Sequence, residues 1–190
     1  MPVLTGLATA LLTASPAEAA SGSAATAQGS VEATVIQPIV VSVISNLDFG
    51  MLTASRTSGG TVTIDPANSA QYGGGAGPAC FGSGATCPAV HASRFAVRGE
   101  AARSYVVTAP SALVASGTLA GSGQGPGAAA PDLAIEALTV RTASRPQSGP
   151  AGTLDLNGND YFSIGGTLVV PAGTSAAHYQ ATLPVIVTYS

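Results

Sequence analysis

From His178 to Tyr189 the chain alternates: Tyr179, Ala181, Leu183, Val185, Val187 and Tyr189 fall on one side, His178, Gln180, Thr182, Pro184, Ile186 and Thr188 on the other. A period of two places one apolar row on a single face of an extended strand, and no helix can do this. The same alternation recurs along most of the chain, and no stretch of helical length shows a 3.6-residue apolar repeat. An all-β fold follows. Pro184 cannot donate to a ladder, so this last strand should be unpaired or imperfectly paired on at least one side there.

Further strands are expected at residues 31–44, 47–52, 60–65, 94–97, 104–108, 112–115, 133–141 and 161–170. Joints fall at Asp65-Pro66-Ala67-Asn68, Ala109-Pro110, Asn157-Gly158-Asn159 and Pro171-Ala172-Gly173. Turn signals about every ten residues suit a Greek-key, immunoglobulin-like β-sandwich of about eight or nine strands. Residues 71–88 and 121–131 are rich in Gly and Pro and read as long surface loops. Neither side of these stretches holds enough strands for its own core, so residues 31–190 should form one domain.

Residues 1–19 stand apart. An apolar run from Val3 to Leu12 precedes Ala17-Glu18-Ala19-Ala20, a small-x-small site, so this segment reads as a signal peptide cleaved after Ala19. Residues 20–30 then form a small-residue, flexible tail. No run of eighteen apolar residues follows, so no transmembrane helix is expected.

Charge narrows the function further. Only 8% of residues are charged, there is no lysine, and the net charge is −3. Nothing here offers a basic footprint for nucleic acid. Few ionisable groups remain for acid–base chemistry, there is no Gly-x-Ser-x-Gly elbow, and His91 and His178 lack the spacing of a zinc pair. We therefore expect no enzyme activity and no cofactor. Arg94, Arg98, Glu100 and Arg103 read as an exposed polar face.

Cys80 and Cys87 are the sole cysteines. Export favours a disulfide between them, contributing roughly 2–3 kcal/mol by closing a short loop. A metal site would have only His91 nearby, and a redox pair would normally show Cys-x-x-Cys. Asp155, Asn157 and Asn159 place oxygens at alternate positions as a calcium loop does, but Asp160 stands where Gly is needed and Gly166 where Glu is needed. An Asn-Gly turn explains the same residues, and any calcium bound there would be held weakly.

Four segments then occur in order: Leu47-Asp48-Phe49-Gly50, Arg94 to Glu100, Tyr161 to Val170, and the closing run from Gly173 to Tyr189. Together they resemble the bacterial domain of unknown function 4402 across nearly the whole mature chain. More distantly, they are similar to spore coat protein U and chaperone–usher pilin subunits. The resemblance implies export to the periplasm, surface or surroundings of a Gram-negative bacterium, and a structural or adhesive role. It also implies assembly in which an N-terminal extension completes a neighbour's sheet. Val31, Ala33 and Val35 would be the pairing residues and copies of the chain or related subunits the partners. Pairing of 31–44 within its own domain stays open, as does a monomeric binding module that uses the Gly-rich loops.

Overall fold

The structure is a computed structural model describing residues 27–79, 90–119 and 127–190. Its compact unit spans Ile36–Ser190. The described residues form no helix and thirteen strands: β1 Val40–Ser45, β2 Leu52–Ala54, β3 Gly60–Ile64, β4 Ala70–Gly74, β5 Ala76–Pro78, β6 Ser93–Arg98, β7 Ser104–Thr108, β8 Leu113–Leu119, β9 Ala129–Thr142, β10 Ala151–Thr153, β11 Asn159–Val170, β12 Ala177–Gln180 and β13 Ile186–Tyr189. The all-β reading holds, while the expected eight or nine strands are too few. The additional strands are short pieces such as β2, β5 and β10, three residues each, too brief to show alternation.

The largest sheet runs β1-β6-β11-β9-β8-β12, and β3 with β4 joins it along β11. β11 organises this arrangement. One of its edges pairs with β6 up to Ile164↔Ser93 and then with β3 from Gly166↔Ile64 onward, so two strands share one edge end to end. Gly165 sits at the changeover, where a Cβ would lie 2.1 Å from the Ile64 carbonyl oxygen. Any side chain here would collide with backbone. On the opposite edge, the β9 register shifts between Gly165 and Thr167, and Ala137 takes φ 50° at the resulting bulge.

Two apolar clusters result. In one, Val62, Ala76, Ala115, Leu133, Ile135, Leu168 and Val170 pack together between the β3/β8/β9 half of the large sheet and the β2-β5 pair. In the other, Phe95, Val97, Phe162 and Ile164 of the large sheet meet Tyr105 and Val107 of a three-stranded sheet, β10-β7-β13. The rings of Phe95 and Phe162 stack at 4.8 Å. A polar clamp crosses this second cluster: the Tyr105 hydroxyl donates to Asp160 Oδ2 at 2.8 Å. Ser144 donates to the same oxygen, and the Tyr161 N–H donates to Asp160 Oδ1 at 2.8 Å. Burial and the adjacent carboxylate push the Tyr105 phenol far above the usual tyrosine range.

The C-terminal alternation is real, but it does not make one strand. β12 pairs with β8 in the large sheet, whereas β13 pairs with β7 in the small one. The ladder lapses over 181–185, around Pro184, and there the chain crosses from one sheet to the other. Tyr179 thus packs on the first cluster, and Leu183, Val185, Val187 and Tyr189 on the second. Two other expectations need correction. Residues 71–74 and 76–78 of the supposed loop belong to β4 and β5, and residues 129–131 of the other open β9. Their Gly-rich sequences conceal strands because glycine carries no alternation signal.

Candidate functional site: an open apolar edge

The expected strand over 31–44 is present only as Val40–Ser45. Within it, Val41 stands opposite Val97 and Val43 opposite Phe95. Directly opposed residues of an antiparallel pair share a face, so Val41 and Val43 extend the row that forms the second cluster. Val97 is fully buried and Phe95 nearly so, yet Val41 is 37% and Val43 61% exposed. The apolar row therefore runs to the sheet edge and ends uncovered. On the other face, Val40 and Ile44 are exposed as well.

Among the described residues, β1 pairs with β6 alone and β13 with β7 alone. Each leaves one side of its backbone without a strand partner. Their ends are joined: the Tyr189 hydroxyl donates to the Gln37 carbonyl at 2.7 Å and accepts the Glu100 N–H at 2.7 Å. The Gln37 N–H in turn donates to Glu100 Oε2 at 3.0 Å. Ile39, just before β1, packs on the same cluster as Val185 and Val187. Two strand edges thus border one cluster, fastened at one end and unpaired along their length. Natural edge strands are normally protected by charge, proline or brevity, and the Val-Val-Ser-Val-Ile-Ser sequence of β1 has no charge and no proline.

The pattern of the family described as Domain of unknown function (DUF4402) matches residues 39–189. The chain belongs to this family. No curated protein and no solved structure matches it. The matched region begins at Ile39, one residue before β1, so the open edge lies inside the DUF4402 domain.

Other sequence-derived sites of this DUF4402 protein are placed as follows. Val31, Ala33 and Val35 lie in no strand, and the Val31 and Val35 side chains are 97% and 93% exposed. Cys80 and Cys87 lie outside the described residues. Asp155 Oδ1 accepts the N–H groups of Asn157 and Asn159, both at 2.8 Å, and the Asn159 side chain donates to the Asn157 carbonyl at 3.1 Å. These side chains close the turn between β10 and β11. His91 forms an isolated bridge with Asp48, and His178 is exposed on β12. In place of the expected strand over 47–52 there is this bridge, with β2 beginning only at Leu52. No helix among the described residues is long and apolar enough to cross a membrane. Sequence reasoning missed the exposure of β1, because apolar residues in a strand give no sign of whether a neighbour covers them.

Proposed function

We propose that this protein is an exported, non-enzymatic structural or adhesive surface subunit. In this reading its two facing sheets form a Greek-key, immunoglobulin-like sandwich lacking one strand, and a strand from another copy or a related subunit completes it. The observation that carries the reading is the exposure of Val41 and Val43 on the inward face of a singly paired edge. Water contact with that row is unfavourable by roughly 25 cal/mol per Å² of apolar surface, and an added strand would remove it while satisfying the free backbone groups.

The arm around Val31, Ala33 and Val35 suits the donor role. Its alternate small and β-branched residues are free of strand pairing, and an extended arm of this kind can insert apolar side chains between the two sheets. Removal of residues 1–19 on export would leave the arm near a new N-terminus. The pilin-like relation belongs to the same proposal.

The test uses the mature chain, residues 20–190, and a synthetic peptide spanning 28–38. The peptide should bind and raise the melting temperature of a chain lacking its own arm, and Val43→Asp should weaken binding at least tenfold. Because Val43 is already exposed, this substitution should leave the fold intact. Should full-length and arm-deleted chains both be monomers of equal melting temperature, indifferent to the peptide, the proposal is wrong.

A further inference from the structure

The face of the large sheet turned away from the second cluster carries a second feature, a row of polar side chains. Arg94 on β6 stands opposite Ser163 on β11, and Ser163 opposite Arg141 on β9. Three adjacent strands therefore present Arg, Ser and Arg in one row, with the two arginine Cα atoms about 9.6 Å apart from two inter-strand spacings. Arg94 and Arg141 lie 47 positions apart in sequence, so only the strand order brings them together. The row borders an open depression of about 580 Å³, flanked by Pro66 and Pro146.

Arg94 is oriented by a neighbouring aromatic ring. The Arg94 guanidinium carbon lies 4.8 Å from the centroid of the Tyr161 ring. Stacking of this kind orients the guanidinium and leaves its in-plane N–H donors free. The carboxylates of nearby segments have partners of their own: Asp48 accepts the Gly50 N–H, Asp65 the Ala67 N–H, and Asp160 is buried in its clamp. Glu136 stands opposite Thr167, four residues along β11 from Ser163, or roughly 13 Å away. In a chain with only six arginines and a net negative charge, two of them line one depression.

The geometry points to a binding site for a carboxylated polysaccharide, with Arg94 and Arg141 each gripping a uronate carboxylate and the Ser163 hydroxyl meeting a sugar hydroxyl between them. Two separated planar forks suit repeated carboxylates along a chain better than one compact anion. The shallow, open shape admits a polymer passing through. The site's arginines lie on the sheet face opposite Val41 and Val43, while Ile44 and Ser45 of β1 also line the depression.

The probe is a short oligogalacturonate, titrated calorimetrically into the mature chain beside a neutral maltooligosaccharide, inorganic phosphate and an oligoglutamate peptide. Saturable binding of the oligogalacturonate that weakens with salt is expected, with Arg94→Gln and Arg141→Gln each lowering affinity at least tenfold. Arg103→Gln, outside the depression, should stay within twofold, and Arg141→Lys should fall between Gln and wild type because it keeps the charge without the fork. Melting curves of the variants should overlay the parent, since Arg94 is exposed and Arg141 partly so. The assignment is overturned by absence of binding, by an equal loss in Arg103→Gln, or by phosphate or oligoglutamate binding as tightly as the sugar.

Discussion

Replacing Tyr105 by Phe removes one oxygen atom and should destabilise the protein by about 2 kcal/mol. The ring stays, so the packing of this fully buried side chain is kept and no sizeable cavity opens. What disappears is the 2.8 Å hydrogen bond to Asp160. Asp160, only 8% exposed, then keeps the Ser144 hydroxyl and the Tyr161 N–H but loses its third donor. Hydrogen bonds to charged groups contribute about 1.5–3 kcal/mol, which sets the estimate. For a chain of this length that corresponds to a fall of about 4–8 °C in Tm.

The same residue dictates a pH dependence whose sign follows from its raised pKa. Below about pH 10 both folded and unfolded states keep the phenolic proton, so the contribution is constant. Above that, the unfolded chain releases the proton while folded Tyr105 holds it. Stability should then fall by up to about 1.4 kcal/mol per pH unit, until the folded phenol itself ionises. The chain has no lysine whose titration would overlap this range. Urea denaturation of parent and Tyr105→Phe at pH 7, 10 and 11 provides the measurement, and the variant should lose less stability between pH 10 and 11. A difference below 0.5 kcal/mol at pH 7, or identical alkaline slopes, would refute the clamp.

Other substitutions test other joints. In Gly152→Ala the new Cβ would lie 2.4 Å from a Tyr105 ring carbon, and overpacking of this kind should cost about 1–3 kcal/mol by chemical denaturation. Tyr189→Phe removes the hydroxyl that bridges Gln37 and Glu100, and should lower stability by about 1 kcal/mol while accelerating hydrogen exchange at Ile39 to Val41.

Strand identity was most readable where alternation was long and its apolar residues large. β7 at 104–108 and the core of β11 follow directly from their residues, because one face had to be buried. β4 and β5 were illegible: Ala-Gln-Tyr-Gly-Gly and Ala-Gly-Pro pair through backbone, and backbone pairing leaves no periodic trace. The split of the last strand was half legible, since Pro184 announced a fault in pairing without saying that the chain changes sheets. For the candidate sites the limit is topological. Val41 and Val43 look like core valines until the strand order puts β1 at an edge, and Arg94 and Arg141 become neighbours only because β11 lies between β6 and β9.

The crossing at Pro184 also ties the two apolar clusters to one another. The segment from Ala177 to Tyr189 packs on both clusters and adds an edge strand to each of two sheets. Loss of this segment would uncover part of each cluster at once, which couples their local opening. The C-terminal segment thus acts as a strap across the two sheets: loosening it on one loosens its hold on the other.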